Sequence, residues 1–280
     1  MLATEIKKFL NEYDIRPNKL LGQHFLVDQN ILQKIIKVAG IKNTDTVLEI
    51  GPGTGTLTFE LAKHAGKVIT VEKDRALAEI LKEEIEHREV KNIEMIASDI
   101  LKMPRESFAR MVPYRVVANI PYYLTARLIR KLLEEVPQPK DILFTIQKEV
   151  AERIVSKPPH MNLLALAVQL YGAPKILFTI HKGAFWPVPE VEAALIKIEN
   201  ISKNIFSESG VSESGLFSIA RAAFQTKRKI LLNSLARQTS IDKASLQITL
   251  ASLGITRLAR SEELSVGQWI SLVARLDKNS

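Results

Sequence analysis

Cysteine is absent from this sequence of 280 residues. Without thiols the chain can form no disulfide, no thiolate zinc site, no iron–sulfur cluster and no cysteine nucleophile. Of the five histidines, His24 stands in a loop-like stretch after Pro17 and Gly22, with no second metal ligand at suitable spacing nearby. We therefore expect no metal, and a hydrogen-bonding or packing role for His24.

Long hydrophobic runs are also absent. No apolar stretch approaches the roughly 20 residues that a membrane helix needs, and the first residues lack the apolar core of a signal peptide. Organellar transit peptides are poor in acids, whereas Glu5, Glu12 and Asp14 lie in this stretch. We therefore expect a cytoplasmic protein that makes no membrane contact.

Acidic residues are outnumbered, since 39 Lys plus Arg face 31 Asp plus Glu and the formal net charge is +8. A positive field favours association with a polyanion such as nucleic acid. The alternative is an ordinary basic soluble protein without such a partner. The length and a hydrophobic fraction of 46% predict one large domain and a small one.

A glycine turn is the feature around which the rest of the chain is organised. Residues 47–50 read as a strand, Gly51, Gly53 and Gly55 follow, and helical periodicity begins at Thr56. A strand, a glycine turn and a helix are typical of a nucleotide cradle. Thr56 stands where a dinucleotide fingerprint needs Gly or Ala, so pyrophosphate is not the obvious ligand. Several cofactors remain possible on this pattern alone.

Two acids follow at the ends of the next predicted strands. Glu72 ends the strand that begins at Lys67, and Asp99 ends a third strand that begins near Asn92. An acid at the first of these positions can accept hydrogen bonds from ribose hydroxyls. An acid at the second position can accept a hydrogen bond from the exocyclic amine of adenine. The pair predicts an adenosine bound across the edge of a parallel sheet, whereas the alternative for Glu72 is an exposed strand-end charge.

The fourth predicted strand ends in the most specific motif, Asn119 to Tyr123. An exocyclic adenine amine is a poor nucleophile, so a catalyst must accept its protons and orient its lone pair. The Asn119 amide oxygen and the Ile120 carbonyl can each accept one N–H, Pro121 fixes the turn, and Tyr122 offers a face for stacking. The alternative is a proline turn with two packing tyrosines.

With these residues the chain resembles the ribosomal-RNA adenine N6-dimethyltransferases, from Asn18 to about Val273. Further matching stretches carry the resemblance; they are residues 21–26, 49–55, 98–99, 147–153, 185–192 and 223–229. The resemblance implies a class I methyltransferase that uses S-adenosylmethionine. It also implies stacking on the target adenine by Tyr122 and Phe185, although Phe185 could instead fill the core.

The resemblance also implies a set of cofactor contacts. With the glycine turn, these are His24, Leu26, Gly51, Gly53, Gly55, Glu72, Asp99 and Asn119. The catalytic set is Asn119, Ile120, Pro121, Tyr122 and Phe185. The family usually has Asn where His24 stands and Leu where Ile120 stands, and its Gly- and Ser-containing loop is replaced at residues 156–164, which puts RNA contacts from that loop in doubt.

Past the catalytic strand we expect a helix over 125–136, a strand over 142–146, a helix over 148–155, and strands over 165–171 and 193–198. The Ser-, Glu-, Asn- and Gly-rich stretch 200–215 reads as a linker. Beyond it the tail reads as helical and carries 11 Lys plus Arg against 6 Asp plus Glu. Basic residues gathered on one helix predict phosphate contacts, with a solvated face as the alternative; they are Arg221, Lys227, Arg228 and Lys229.

We therefore expect an α/β protein with a Rossmann-like, doubly wound, mostly parallel sheet over residues 1–202, which binds S-adenosylmethionine, and an all-helical RNA-docking domain over residues 203–280. The resemblance implies direct methyl transfer to N6 of two adjacent adenosines in the 3′-terminal hairpin of small-subunit rRNA. The partner would be the immature small subunit, bound by a monomer. Large-subunit rRNA methylation of the macrolide-resistance type, a non-catalytic assembly factor and DNA adenine methylation are the alternatives.

Overall fold

A computed structural model describes residues 3–13, 15, 17, 22–225, 229–239 and 241–278. The chain divides into two compact units. The first contains Met1–Ala151 and Lys175–Ile201, and the second contains Glu152–Pro174 and Ser202–Ser280.

The first unit alternates strands with helices. Its strands are β1 (Phe25–Leu26), β2 (Thr46–Ile50), β3 (Lys67–Glu72), β4 (Ile93–Ala97), β5 (Tyr114–Asn119), β6 (Ile142–Gln147), β7 (Ala173–Ile180), β8 (Phe185–Trp186) and β9 (Ala193–Glu199). Its helices are α1 (Ala3–Glu12), α2 (Gln29–Ala39), α3 (Thr56–Ala62), α4 (Arg75–His87), α5 (Arg105–Ala109), α6 (Thr125–Arg130), which continues as a π-helix over Lys131–Glu135, and α7 (Lys148–Val155), whose last turns pass into the second unit.

Within the described residues the main sheet has seven strands in the order β4-β3-β2-β5-β6-β9-β7. From β2 the chain adds β3 and then β4 on one side, returns to pair β5 with the other edge of β2, and continues to β6; all these pairs are parallel. β9 runs antiparallel to β6. The predicted doubly wound, mostly parallel sheet is confirmed, and its order reverses between β2 and β5, which is where such sheets bind ligands.

The sheet is buried because its strands are almost wholly apolar. Val47 and Leu48 of β2, Val68 of β3, Val116 of β5 and Ile142 of β6 have no exposed surface. Near-continuous apolar strands are typical of parallel sheets covered on both faces. Each such side chain stabilises the fold by roughly 1.5–3 kcal/mol.

Local sequence signals fix the ends of α2. The Asp28 carboxylate accepts hydrogen bonds from the N–H groups of Asn30 and Ile31 and caps the helix at its first turn. Gly40 ends it in the left-handed conformation at φ +57°. One side of α2, with Leu32 and Ile35, then packs in the core of the first unit.

The second unit is helical where it is described. Its helices are α8 (Leu163–Tyr171), α9 (Asn204–Ser209), α10 (Glu213–Gln225), α11 (Leu231–Gln238), α12 (Lys243–Ser252) and α13 (Val266–Lys278), with a short 3₁₀ turn over Ser261–Glu263. Trp269 of α13 is fully buried, with its ring 5.5 Å from that of Phe224. The predicted helical tail is confirmed.

The predicted strand over 165–171 is wrong, because these residues lie in α8. A continuous apolar run does not distinguish a buried strand from a buried helix by its period. Its leucines and alanines are strong helix formers, and the Asn162 side chain caps the first turn by accepting the N–H of Ala165. The strand of this region is β7, which begins two residues after α8 ends.

The linker predicted over 200–215 is also wrong, since α9 and the start of α10 occupy much of it. Phe206 packs within the second unit, 5.5 Å from the ring of Tyr171, and this contact outweighs the polar composition. The expected division at residue 202 agrees with the last passage into the second unit. It differs for residues 152–174, which belong to the second unit although the sequence assigned them to the first domain.

Candidate active site

A cavity lies at the carboxyl ends of β2 to β5, where the strand order reverses. Its lining brings together the residues that end or directly follow these four strands. From this lining, the predicted site residues are His24, Leu26, Gly51, Gly53, Glu72, Asp99, Asn119, Ile120, Pro121 and Tyr122. Gly55 is not in the lining but ends the same glycine turn. The parallel strands thus bring together site residues that are spread over about a hundred positions of the sequence.

The glycine turn is held open by positions that admit no side chain. Gly53 has φ +55°, and a Cβ there would lie 2.7 Å from the ring of Phe25. Gly55 has φ +76°, and a Cβ there would lie 2.6 Å from Leu81. Left-handed backbone with contacts this short excludes other residues. Glycine at these positions therefore lets Phe25 and Leu81 pack directly against the turn, and Gly55 leads into α3.

Glu72 organises this turn from the end of β3. Its carboxylate accepts the backbone N–H of Gly53 at 3.2 Å, of Lys73 at 2.8 Å and of Asp74 at 2.9 Å. Burial raises the pKa of Glu72 and outweighs these three donors, which favour the charged form. Glu72 is 7% exposed and lines the cavity, so one residue both holds the glycine turn and faces the cavity.

Glu49 lies one strand away, is 1% exposed and also lines the cavity. Burial raises its pKa to about 8, and the negative charge of Glu72 adds to the rise. The hydroxyls of Thr58 and Thr70 lower the pKa in part. Yet among the described residues neither hydroxyl nor Glu49 Oε2 has a hydrogen bond of normal geometry, so we regard the carboxyl as mainly desolvated and neutral below about pH 8.

Asp99 follows β4 and begins the 3₁₀ turn Ile100–Lys102. Its Oδ1 accepts the N–H of Leu101 at 3.0 Å, and its Oδ2 lies 3.2 Å from the ammonium of Lys73. Burial alone would raise the pKa of Asp99, but these two partners lower it below its usual value. Asp99 is therefore an ionised acceptor at the cavity wall.

Asn119 ends β5 with its side-chain amide fixed in one orientation. Nδ2 donates to the backbone carbonyl of His24 at 2.9 Å, and a carbonyl can pair only with the N–H₂ side of an amide. The Oδ1 atom is thereby left as an acceptor. His24 is itself held, because its Nδ1 lies 2.7 Å from the carbonyl oxygen of Pro187.

The turn after Asn119 contributes an aromatic wall. The N–H of Ile120 donates to Thr145 of β6, and the N–H of Leu124 donates to the carbonyl of Pro121. Tyr122 lines the cavity with its ring 5.7 Å from that of His24. Burial raises the pKa of the Tyr122 hydroxyl, which has no hydrogen-bond partner among the described residues.

Comparison with known proteins supports what the site suggests. A family model described as ribosomal RNA adenine dimethylase matches residues 15–278. The chain belongs to this family. It is 43% identical over 272 residues to the ribosomal RNA small subunit methyltransferase A of Dehalococcoides mccartyi, covering 97% of this chain and 92% of that one. The protein of the same name from Clostridium botulinum is 38% identical over 266 residues, covering 94% and 95%.

Solved structures agree. A dimethyladenosine transferase from Plasmodium falciparum superposes with a TM-score of 0.76 at 27% identity, covering 91% of this chain and 98% of that one. The 23S rRNA methyltransferase ErmE gives 0.71 at 25% identity, covering 90% and 99%. The fold and the enzyme class of this adenine dimethylase are therefore those expected from its sequence.

One predicted site residue of the dimethylase lies elsewhere. Phe185 of β8 pairs with Leu26 of β1, is 2% exposed and belongs to the hydrophobic core of the first unit rather than to the cavity lining. In this conformation the ring packs in the core, which agrees with the alternative that Phe185 fills the core. Stacking of Phe185 on the target adenine stays a prediction.

The basic residues predicted to bind RNA are only partly described. Arg221 is exposed on α10, with its guanidinium 5.7 Å from the ring of Phe217, and Lys229 is exposed just before α11. Lys227 and Arg228 lie outside the described residues. Their predicted phosphate contacts therefore remain predictions.

Two cations at the cavity were missed by the sequence analysis. Lys73 directly follows Glu72, and Arg127 follows the Tyr122–Leu124 turn by three residues; both line the cavity. Their adjacency to site residues was the available signal. Clusters of His, Asp or Glu able to hold a metal ion do not occur in the described ranges, and no described helix is both long and apolar enough to cross a bilayer.

Proposed function

We propose that this enzyme transfers methyl groups from S-adenosylmethionine to N6 of two adjacent adenosines in the 3′-terminal hairpin of small-subunit rRNA. It would act in the cytoplasm, as a monomer, on immature small subunits. The identity of 43% to a protein named for the small subunit, against 25% to ErmE, supports this substrate over the large-subunit alternative.

The cavity fits S-adenosylmethionine. Gly51 and Gly53 line the cavity without side chains, so a ligand can approach the backbone there, and the buried carboxylate of Glu72 suits a ligand with positive charge. Glu72 would hold the ribose hydroxyls and Asp99 the adenine amine, while His24 and Leu26 line the same space. When bound, the cofactor supplies an electrophilic methyl group on its sulfonium.

The fixed amide of Asn119 is the observation that carries the proposal. Because Nδ2 is held by the His24 carbonyl, Oδ1 can accept one N–H of the target amine, and the Ile120 carbonyl can accept the other. These acceptors orient the nitrogen lone pair and stabilise the positive charge that develops as the new bond forms. The hydrogen bond to His24 supports this role, because it orients the Asn119 amide without help from the substrate.

Tyr122 would support the adenine from its side. Its ring lines the cavity beside Asn119 and is held near His24, and an extruded base stacks readily on such a face. Pro121 fixes the backbone between these two residues, since its ring restricts φ. In the second unit, Arg221, Lys227, Arg228 and Lys229 would contact phosphates of the subunit.

The test is the change Asn119→Ala. We expect methyl transfer to unmethylated small subunits to fall about a hundredfold to a thousandfold, as for the loss of one preorganised polar group in other enzymes. Affinity for the subunit and the melting temperature should change little. The measurement is single-turnover transfer of labelled methyl, with binding and melting recorded on the same samples.

Asn92→Ala is the matched control, because the Asn92 amide also donates to backbone carbonyls, those of Ala62 and Ala65, but lies outside the cavity. It should cost stability and leave turnover per folded molecule unchanged. A folded Asn119→Ala enzyme that methylates at the wild-type rate would overturn the proposed mechanism. Wild type that binds small subunits but transfers no methyl would instead favour a non-catalytic assembly factor.

A further inference from the structure

Acidic and basic residues line different parts of the cavity. The buried carboxyls of Glu49, which is neutral below about pH 8, and of Glu72 lie at the floor, at 1% and 7% exposure. Lys73, with 51% of its side chain exposed, and Arg127, also exposed, lie at the mouth. We propose that Lys73 and Arg127 bind backbone phosphates of the RNA strand that delivers the adenosine to the cavity. This inference rests on the proposed function and adds where the strand is held.

Lys73 is placed by two neighbours. It follows Glu72 at the end of β3, and its ammonium lies 3.2 Å from Asp99 Oδ2. An ammonium has three N–H donors, so one contact with Asp99 leaves donors that face solvent. The hydrogen bond that Lys73 donates to Asp99, together with the negative charge of Asp99, raises the pKa of Lys73, which therefore stays charged at neutral pH.

Arg127 has fewer polar contacts than Lys73. It lies in α6, and in the part of the chain that the structure describes its guanidinium makes no hydrogen bond or ion pair. Its charge opposes the rise in the pKa of Lys73, so the two cations lie close enough to repel each other. An anion between them would relieve this repulsion, and a guanidinium can grip a phosphate through two parallel N–H bonds.

The position of the pair favours RNA over the cofactor as the source of the anion. S-adenosylmethionine carries no phosphate, whereas a nucleotide that enters the cavity brings a phosphate on each side. Tyr123, 49% exposed, lines the same mouth and offers an aromatic surface for a neighbouring base. Backbone contacts of this kind position a strand without reading its sequence.

The test compares Lys73→Gln and Arg127→Gln with two matched controls, Lys34→Gln and Arg110→Gln, whose side chains are exposed on the first unit and outside the cavity lining. The measurement is kcat/KM for unmethylated small subunits at saturating cofactor and fixed magnesium, from about 50 to 200 mM potassium chloride. Each phosphate contact to a single strand contributes a slope of about 0.7 in log–log form.

Over this fourfold change in salt, wild type and controls should therefore lose about 2.6-fold more activity than each variant at the mouth. Arg127→Lys should restore part of the slope. Calorimetry with S-adenosylmethionine should give an unchanged Kd for Arg127→Gln.

Slopes equal to wild type in both variants would overturn the inference and leave the proposed function standing. A weaker Kd for the cofactor with an unchanged salt slope would also overturn it, since the cations would then serve the cofactor carboxylate. Failure of wild type itself to methylate small subunits would overturn the proposed function, and the inference with it.

Discussion

Glu49 shows how burial sets the behaviour of a single residue. Its pKa is about 8 in the folded protein, mainly through loss of water, against an ordinary value of 4.5. The folded state therefore binds more protons than the unfolded state between these values. The stabilising contribution is complete below about pH 4.5 and is lost as the pH rises through about 8.

We therefore predict that the free energy of unfolding falls more steeply with pH in wild type than in Glu49→Gln, in which the side chain cannot ionise. The difference should grow by about 1.4 kcal/mol per pH unit between roughly pH 5 and 8. Urea unfolding at a series of pH values measures it. Glu106→Gln, at an exposed position, should run parallel to wild type, and parallel curves for Glu49→Gln as well would contradict the prediction.

At this scale, site residues at the ends of strands can be predicted from the sequence, whereas site residues that no strand positions are missed. Glu72, Asp99 and Asn119 end or follow strands, so the parallel sheet alone brings them together. Arg127 of α6 and Lys73, which follows β3, both line the cavity only because two segments distant in sequence approach its mouth. The side on which Phe185 is buried depends on its pairing with β1, and a two-residue strand leaves no periodicity in the sequence.

At the scale of elements, the glycine turn allows the cost of left-handed backbone to be separated from the cost of a steric clash. Gly53→Ala must adopt φ +55° and place its Cβ 2.7 Å from Phe25. We expect a loss of stability of at least 1–2 kcal/mol from the left-handed backbone, together with weaker cofactor binding because β1 or the turn must move. Melting curves and calorimetry with S-adenosylmethionine measure the two effects.

Gly40→Ala is the control, because Gly40 has nearly the same φ, +57°, with nothing within 4 Å of a Cβ. It should cost similar backbone energy and leave cofactor affinity unchanged. If Gly53→Ala binds the cofactor as tightly as Gly40→Ala does, close approach of the turn is not what the site requires.

Elements were predictable where caps and periodicity agree, as in α2 between Asp28 and Gly40. They were mistaken where the deciding contact is distant in sequence. Tyr171 donates a hydrogen bond to Glu213 and packs against Phe206 and Phe217. Those partners follow α8 by more than thirty residues, so the local apolar run of α8 could not report them.

At the scale of the molecule, each unit is built from two separate pieces of chain. The second unit needs Glu152–Pro174 as well as Ser202–Ser280, and the apolar residues of α8 pack against α10 and α13. Leu166 and Leu170 are buried there. We predict that a chain ending at Ile201 aggregates and binds hydrophobic dyes, because this face of α8 loses its cover.

The same chain carrying Leu166→Gln and Leu170→Gln should be more soluble, whereas these changes should destabilise the full-length protein by leaving polar groups in a core. Size-exclusion chromatography and dye fluorescence measure the gain in solubility of the shortened chain, and melting curves measure the loss of stability of the full-length protein. A monomeric chain ending at Ile201 that binds no dye would show that α8 needs no cover.

Because the two units alternate along the chain, their elements are synthesised in a fixed, interleaved order. Helix α8 emerges before β7 and β9, which complete the sheet, and its partners α10 and α13 emerge after them. At 5–20 residues per second, about 5–20 s separate the synthesis of Tyr171 from that of the last helix. The first unit, which holds the cavity, can therefore fold first in the nascent chain. The apolar face of α8 stays uncovered until α10 and α13 have been translated.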